Sequence, residues 1–218
     1  ILHESNLVPG LVTRFFGRYC NYLLTGFKET DAYLKKCKIT FTGTPLRDQF
    51  YCKNEIPSWV PEGDGPLICI MGGSQGAQDI NELVFGCLDF LLENNFRIIH
   101  IVGPNKSKDL RNLKSTNYLQ INFTNQIAEL LQNCDLVISR SGSGAINEII
   151  HTKIPSILIP YPNSKYNHQE KNAQILASIG ASILINQKSN STNTLKRTLQ
   201  RIFLNNGVEE KRTNELLN

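Results

Sequence analysis

The stretch LICIMGGSQGAQ, residues 67–78, decides the fold of this chain. Its first five residues are apolar and predict a buried strand, which three glycines within the next five residues end in a tight turn. Residues 78–93 then carry apolar side chains at helical spacing, from Ile80 to Leu92, so that one stripe of a helix is apolar. A buried strand, a glycine-rich turn and an amphipathic helix together indicate a β-α unit of a parallel sheet.

Five further short apolar runs follow downstream, with room for a helix between most of them. Runs of this length, rich in β-branched residues and separated by helical segments, are typical of α/β proteins. The sequence therefore predicts an α/β fold built on a parallel sheet. The predicted strands are RIIHIV (97–102), YLQINF (118–123), DLVIS (135–139), PSILIP (155–160) and ASILIN (181–186).

The residues upstream predict a smaller, separate unit. We expect a helix at 9–18, a strand at 22–24, a second helix at 29–35 and a strand at 39–42. The turn-rich stretch 48–66 predicts an irregular lead into the second domain, which places the domain boundary near 43–47. The predicted units are therefore 1–46, 47–190 and, as C-terminal helices, 191–218. Because the chain opens at Ile1, we expect an N-terminal portion of the first unit to be missing.

Composition indicates a globular protein, since 218 residues with 40% hydrophobic content can bury a core. No apolar run reaches the roughly 20 residues of a membrane-spanning helix, and no signal peptide is evident, so we expect a cytosolic address. Six cysteines at irregular spacing predict reduced thiols and no metal site. The net charge of +4 is dispersed, which argues against a nucleic-acid surface and leaves phosphates and lipid headgroups as candidate partners.

The glycine-rich segment MGGSQGAQ (71–78) is a candidate phosphate loop. It follows a buried strand and opens a helix, so its backbone N–H groups can approach an anion at the positive end of that helix. It matches neither the dinucleotide fingerprint nor the Walker pattern. Taken alone, a purely structural turn with Ser74 as the helix cap explains it equally well.

A second glycine-rich turn, RSGSGAINE (140–148), follows the predicted strand DLVIS and also opens a helix. Both turns would then lie at the carboxyl edge of one sheet, where open α/β sheets bind ligands. On spacing alone, the preferred interpretation of Glu148 is a carboxylate favoured by the helix dipole. The alternative is a carboxylate that accepts hydrogen bonds from a ribose diol.

A third polar segment, YPNSKYNHQEKNA (161–173), runs into a helix after the strand PSILIP. Its Gln169 suits the recognition of sugar hydroxyls, because an amide both donates and accepts hydrogen bonds. For His168 the pattern favours a solvated first turn, and ligand contact is the alternative.

Taken in order, TGTPLR (42–47), MGGSQGAQ, SRSGSGAINEI (139–149) and HQEKNA (168–173) resemble the signatures of the MurG family. The opening HESN (3–6) resembles that family's HEQN segment, with Ser5 in place of the usual Gln. The resemblance covers nearly the whole chain. It implies the GT-B architecture, in which two Rossmann-like domains face each other. The first domain is then only partly present, and the C-terminal one binds UDP-N-acetylglucosamine.

The resemblance also implies roles for individual residues. The two glycine-rich turns would hold the diphosphate, Glu148 the ribose, Gln169 the sugar hydroxyls, and the backbone at Phe123 and Thr124 the uracil edge. Arg47 would stabilise charge on the UDP leaving group, and Glu4 and Asn6 match acceptor-side positions. The candidate substrate-binding residues are Asn6, Arg47, Gly73, Ser74, Gln75, Gly76, Phe123, Thr124, Ser143, Gly144, Ala145, Glu148, His168 and Gln169.

The reaction that the resemblance implies is an inverting single displacement in peptidoglycan synthesis. N-acetylglucosamine moves from UDP-N-acetylglucosamine to the muramyl-pentapeptide sugar of undecaprenyl-diphosphate-linked lipid I, which forms lipid II. The enzyme would act peripherally at the cytoplasmic face of the bacterial plasma membrane. No cofactor is implied, and the absence of a D-x-D pair leaves no requirement for a metal.

The family's glycine-rich loop with a His would precede residue 1, so we expect the general base to lie outside this sequence and the fragment alone to be inactive.

The predicted helix at 9–18 carries Phe15 and Phe16 beside Arg14 and Arg18. This pattern indicates either a weak membrane contact or a packed helix with solvated arginines. The alternative functions are a diacylglycerol sugar transferase, a split two-subunit transferase, or a non-catalytic nucleotide-sugar-binding module or epimerase of similar fold. The HESN segment argues against the split enzyme.

Overall fold

The computed structural model describes residues 1–73, 76–104, 115–187 and 191–204. Its first part is a parallel sheet of three strands, β1 (Leu2–Glu4), β2 (Leu23–Thr25) and β3 (Ile39–Phe41), which lie side by side in that order. Parallel pairing requires a crossover between successive strands. Helix α1 (Leu11–Phe16) lies in the first crossover, and a 3₁₀ helix (Lys28–Tyr33) lies in the second.

The second part is a six-stranded sheet in which every neighbouring pair is parallel. The strand order is β6-β5-β4-β7-β8-β9, so the chain moves outward from β4 in one direction and then returns to build the other side from β7. Ligands in such sheets bind beyond the carboxyl ends of the strands at the point of reversal. The strands are β4 (Leu67–Met71), β5 (Arg97–Ile101), β6 (Tyr118–Ile121), β7 (Leu136–Ser139), β8 (Ser156–Leu158) and β9 (Ser182–Leu184).

Strand β4 shows how the core is divided between the two faces of this sheet. All five of its residues are buried, with Leu67, Cys69 and Met71 in one layer and Ile68 and Ile70 in the other. A strand buried on both faces is apolar at every position, which explains the unbroken run LICIM. The first layer holds α4 (Ile127–Asn133), α5 (Ser143–Thr152) and α6 (His168–Ser178); the second holds α2 (Gln78–Phe85), α3 (Leu88–Glu93) and α7 (Ser191–Leu199).

The predicted α/β fold on a parallel sheet is confirmed, and the local departures have physical reasons. The spacing predicts one helix over 78–93, whereas the structure has two, separated at Gly86 and Cys87. Glycine is a poor helix former, and after the last helical bond, from the Gly86 N–H to the Glu82 carbonyl oxygen at 3.0 Å, the Cys87 N–H donates to the Val84 carbonyl oxygen at 2.9 Å in a tighter turn that ends the first helix. A Cβ at residue 86 would lie 3.2 Å from the Thr192 methyl group, so close packing against α7 favours glycine there.

Two further departures lie in the first sheet. The helix expected at 29–35 is the 3₁₀ helix Lys28–Tyr33, and strand β1 was not predicted. Both elements are too short to show a hydrophobic period, and tertiary contacts hold them. Buried Thr30, for example, donates its hydroxyl hydrogen bond to the carbonyl oxygen of Asn6 at 3.3 Å.

The segment between the sheets is docked on α4 and α5. Phe50 and Val60 are buried in the first layer of the core. In α4, Gln132 Oε1 accepts the Asn54 backbone N–H at 3.0 Å, and in α5 His151 Nε2 lies 2.8 Å from the Phe50 carbonyl oxygen. Arg47 therefore leads into a segment that is held against the helix carrying Glu148. In the ranges described, none of the helices has the length and apolar character needed to cross a bilayer.

Candidate functional site

A cavity of about 910 Å³ opens at the carboxyl edge of the six-stranded sheet, where β4 and β7 lie side by side. The turns after β4, β6, β7 and β8 contribute to its wall, and Arg47 reaches it from the segment between the sheets. This is the edge at which sequence analysis placed both glycine-rich turns. The candidate residues that line the cavity are Arg47, Gly73, Gly76, Phe123, Thr124, Ser143, Gly144, Ala145, Glu148 and Gln169.

The first glycine-rich turn brings the Gly76 backbone close to the residues that follow β5. Gly73 and Gly76 have φ angles of 83° and 67°, values that side chains disfavour. A Cβ at Gly76 would collide with the carbonyl oxygen of Val102, so only glycine allows this approach. The Gly76 N–H donates to the Gly73 carbonyl oxygen at 2.9 Å and closes the turn. The candidates Ser74 and Gln75 lie outside the described residues.

The second glycine-rich turn presents the start of α5 to the cavity. Gly142 is extended, α5 begins at Ser143, and among the residues that the structure describes no side chain caps its first turn. The N–H groups at the start of a helix carry partial positive charge and form a site for an anion. Ser143, Gly144 and Ala145 line the cavity at this point. The turn can therefore receive a phosphate group on backbone donors.

Glu148 faces the same cavity from the second turn of α5, since it is the sixth residue of that helix. Stabilisation by the helix dipole fades beyond the first turn, so the dipole does not explain a carboxylate here. Glu148 Oε1 lies 3.2 Å from Arg47 Nη2. Burial raises the pKa of Glu148, and the charge and hydrogen bond of Arg47 oppose that increase. The carboxylate is thus partly desolvated and has one cationic partner.

Arg140, the residue directly after β7, is a wall residue of the cavity that the sequence did not predict. Its buried guanidinium donates to the Ile159 and Pro160 carbonyl oxygens at 3.0 Å and pairs with Asp79 Oδ2 at 3.2 Å. It also lies over the Tyr161 ring at 5.5 Å. Burial lowers the pKa of Arg140, and Asp79 opposes the change. Arg140 occupies the quoted motif SRSGSG, but these partners come from α2 and from the residues after β8, and no local pattern indicates them.

Gln169 and His168 begin α6, and the structure places them differently. Gln169 Oε1 accepts the Tyr161 backbone N–H at 2.9 Å, which turns the NH₂ group of its amide away from Tyr161. His168 is not among the residues that line the cavity, and its Nδ1 lies 2.6 Å from the Lys165 carbonyl oxygen. This contact closes the preceding turn.

The turn after β6 forms the opposite rim. Phe123 is 65% exposed there, and the Thr124 hydroxyl accepts the Gln126 backbone N–H at 3.0 Å. Trp59, from the segment between the sheets, donates its indole N–H to Gln126 Oε1 at 2.7 Å. The segment between the sheets therefore holds this rim in place through the hydrogen bond from Trp59 to Gln126.

The acceptor-side candidates Glu4 and Asn6 do not line this cavity. Glu4 is buried, and its Oε1 accepts the backbone N–H of Asn6 at 3.0 Å. Its Oε2 accepts the Gly10 N–H at 2.8 Å and the Thr13 hydroxyl at 2.7 Å. Both carboxylate oxygens thus organise the loop from Asn6 to Thr13.

Comparison with known families identifies the cavity-bearing part of the chain. The model of the glycosyltransferase family 28 C-terminal domain matches residues 67–217, which include both glycine-rich turns and Glu148. This chain belongs to glycosyltransferase family 28. The resemblance drawn from the motifs is thereby confirmed, since family 28 relatives of the predicted kind match along its full length.

Two relatives illustrate the similarity of this family 28 chain. Both are UDP-N-acetylglucosamine--N-acetylmuramyl-(pentapeptide) pyrophosphoryl-undecaprenol N-acetylglucosamine transferases of Prochlorococcus marinus. The one from strain MIT 9515 is 60% identical over 217 residues and aligns with 100% of this chain and 60% of its own length. The one from subspecies pastoris (strain CCMP1986 / NIES-2087 / MED4) is 63% identical over 203 residues, with 93% and 56% covered. The chain spans about 60% of the length of these curated relatives.

Solved structures support the fold of the family 28 chain. MurG of Acinetobacter baumannii has a TM-score of 0.67 at 23% identity, with 91% of this chain and 56% of that one covered. CalG4, the calicheamicin glycosyltransferase, has a TM-score of 0.61 at 11% identity, with 95% and 53% covered. At these identities the likeness concerns the fold, and it confirms the GT-B architecture of parallel α/β domains.

Proposed function

We propose that this chain is the donor-binding part of an N-acetylglucosaminyltransferase that uses UDP-N-acetylglucosamine. The observation that carries the proposal is the cavity at the reversal point of the sheet, where the uncapped start of α5 and the carboxylate of Glu148 face one space. The two Prochlorococcus relatives, named as transferases of that sugar, supply the substrate class.

In this proposal the donor lies across the carboxyl edge of the sheet. The two glycine-rich turns hold its diphosphate from opposite sides through backbone N–H groups. Glu148 accepts hydrogen bonds from the two ribose hydroxyls, and the Phe123–Thr124 rim receives the uracil. Gln169 donates its NH₂ group to a sugar hydroxyl, because its amide oxygen is already engaged by Tyr161.

The proposed reaction is the transfer named for the relatives. The 4-hydroxyl oxygen of a muramyl sugar on undecaprenyl diphosphate bonds to the anomeric carbon of the donor, while the bond from that carbon to UDP breaks. The hydroxyl proton passes to a general base on the acceptor side, and the configuration inverts. The leaving diphosphate gains negative charge, which the start of α5 can stabilise without a metal.

Arg47 has a specific part in this proposal. Its Nη2 lies 3.2 Å from Glu148 Oε1. When the ribose hydroxyls bind Glu148, Arg47 can turn toward the diphosphate, where its permanent charge favours the departure of UDP. The same two residues thereby serve the ribose and then the leaving group.

We further propose that the full-length enzyme binds the membrane surface peripherally, at the cytoplasmic face where a polyprenyl-linked acceptor would be presented. Helix α1 exposes Leu11, Val12, Phe15 and Phe16, each by more than half, and Arg18 follows directly. Such a helix can insert apolar side chains between headgroups while a cation meets anionic lipid. Arg14 lies over the Tyr166 ring of the second part of the molecule at 4.9 Å, whereas Arg18 lies over the exposed Tyr19 ring at 4.6 Å and so stays beside α1.

Vesicle sedimentation tests the membrane proposal. Phe15→Ser with Arg18→Glu in the full-length protein should reduce sedimentation with vesicles of anionic lipid. The matched control is Ile179→Ser, which removes a similarly exposed apolar side chain from the second sheet's side of the molecule. Equal sedimentation of the parent and the double variant would exclude α1 as the contact.

Calorimetry and a product assay test the central proposal. The chain should bind UDP and UDP-N-acetylglucosamine more tightly than ADP or dTDP, because uracil and ribose are both read. Mass spectrometry of the full-length protein with donor and polyprenyl-linked muramyl acceptor should then detect the disaccharide product. Failure to bind UDP would overturn the donor site. Transfer to diacylglycerol instead would reassign the acceptor.

A further inference from the structure

One buried side chain joins the two parts of the molecule. Asn172, in α6, is completely buried. Its Oδ1 accepts the backbone N–H of Leu7 at 3.1 Å, and its Nδ2 donates to the Ser141 carbonyl oxygen at 3.2 Å. The Nδ2 group also lies 3.3 Å from Asn6 Oδ1. Because one backbone partner only donates and the other only accepts, an amide satisfies both in a single orientation.

Both segments that Asn172 joins are also held from their other side. On the N-terminal side, the carboxylate of Glu4 binds the loop that begins at Asn6. On the other side, the Ser141 hydroxyl donates to the Gln169 carbonyl oxygen at 2.7 Å. A continuous set of hydrogen bonds therefore runs from β1 through Asn172 to the residue before Gly142.

The position of Ser141 determines how α5 meets the cavity. Gly142 separates Ser141 from the first residue of α5, and a Cβ at Gly142 would have no neighbour within 4 Å. The Gly142 carbonyl oxygen accepts the Ile146 backbone N–H at 3.0 Å, so the turn is fixed to α5 on one side and to Ser141 on the other. A shift of the Ser141 carbonyl would tilt the N–H groups that line the cavity.

We propose that Asn172 is a positioning residue that couples residues 4–10 to the second glycine-rich turn. A diphosphate bound at the turn would then stiffen the N-terminal segment, which does not line the cavity. This inference rests on the proposed donor site. Its physical basis is that the buried amide has partners on both sides, and leaving either one unsatisfied in the interior is costly.

Hydrogen exchange on the unmodified chain tests the coupling directly. UDP should slow amide exchange in peptides from 139–150 and also in peptides from 1–10. Uridine, which lacks the diphosphate, should leave peptides 1–10 unchanged. Protection of the turn without protection of 1–10 would overturn the coupling and leave the donor site standing. Protection of neither region by UDP would overturn the donor site and this inference with it.

A substitution supplies the second arm. Without ligand, Asn172→Ala should speed amide exchange in the peptides from 1–10 and from 139–150. It should also weaken UDP binding by about tenfold, as expected for one misplaced hydrogen bond to an anion. Uridine affinity should change less than twofold, which a general loss of structure would not predict. The control is Asn94→Ala, which removes an Asn amide bound to the Phe90 carbonyl oxygen in α3. If Asn172→Ala weakens the binding of UDP and of uridine equally, the role of Asn172 is merely structural. If the variant does not fold, the hydrogen-exchange experiment on the unmodified chain decides.

Discussion

Arg47 and Glu148 meet at 3.2 Å across 101 residues of sequence, and their contact joins the segment between the sheets to the second turn of α5. The Arg47 side chain is 47% exposed and that of Glu148 is 20% exposed. An ion pair with such an exposed partner contributes little to folding stability. In the proposed donor site the contact serves ligand binding, because it orients a partly desolvated carboxylate toward the cavity.

The first prediction concerns the role of Glu148. Glu148→Gln keeps the shape and one acceptor but loses the charge, so UDP should bind about tenfold more weakly. The melting temperature should stay nearly unchanged, because burial already disfavours the charged form. Calorimetry measures the affinity. 2′-deoxy-UDP, which lacks one ribose hydroxyl, should lose less affinity than UDP, and equal losses would show that Glu148 acts only through the general field.

The second prediction concerns pH. Burial raises the pKa of Glu148 and Arg47 opposes that rise, so Arg47→Met should raise this pKa further. In the proposed site, the ribose hydroxyls donate to the ionised carboxylate of Glu148. As pH falls, donor affinity should therefore begin to drop at a higher pH in Arg47→Met than in the parent. UDP-N-acetylglucosamine is the suitable ligand, because its diphosphate is esterified at both ends and has no proton to lose near neutral pH.

Calorimetry between pH 4.5 and 7.5 measures this fall in donor affinity at low pH. Glu148→Gln is the control, and its affinity should show no corresponding fall. If the affinity of Arg47→Met falls at the same pH as that of the parent, the ion pair does not influence the ionisation of Glu148.

The third prediction concerns a buried hydrogen-bond network on the face of the six-stranded sheet that α2, α3 and α7 cover. His100 is fully buried, with Nδ1 2.8 Å from the Tyr118 hydroxyl and Nε2 3.1 Å from Asn81 Oδ1. Since Asn81 Nδ2 donates to the Val102 carbonyl oxygen, Asn81 Oδ1 accepts from His100, and Nε2 carries the proton. Burial lowers the pKa of His100 to about 4 from an ordinary 6.5.

The sign of the resulting pH dependence follows from proton uptake. Between pH 6.5 and 4 the unfolded chain protonates His100 and the folded chain does not. The stabilisation is therefore present above pH 6.5 and is lost as pH falls toward 4, by about 3 kcal/mol in total. Urea unfolding across this range should show a smaller loss in His100→Gln than in the parent. The same slope in both would assign the acid sensitivity to other groups.

The fourth prediction separates binding from stability at Gly144. This glycine lies in the first turn of α5 and lines the cavity, and a Cβ there would meet nothing within 4 Å. Gly144→Ala should stabilise the fold by about 0.5–1 kcal/mol, because alanine is the better helix former. UDP affinity should fall, since the methyl group enters the space that the diphosphate needs. A thermal melt and calorimetry measure the two effects, and a parallel fall in both would contradict the prediction.

Much of the site could be predicted from particular residues. The two glycine-rich turns and Glu148 were located because each turn follows an apolar run of strand length. Arg140 was missed because its carbonyl partners follow β8, 19 and 20 residues away. Asn6 and His168 do not line the cavity: Asn6 Oδ1 accepts from Asn172 Nδ2 at 3.3 Å, and His168 Nδ1 lies 2.6 Å from the Lys165 carbonyl oxygen. Whether either residue contacts a bound substrate remains a prediction.

The sequence by itself determined the local structure and chemistry of this protein. It determined that β4 is buried on both faces and that a glycine-rich turn follows it. Both are local properties, because a hydrophobic period and turn-forming residues depend only on neighbours in the chain. Only the tertiary structure decided that Arg47 meets Glu148, and that Asn172 holds both Leu7 and Ser141. These contacts join residues that are distant in the chain, and they exist because the parallel sheet places β7 beside β4 and docks the N-terminal segment against α6.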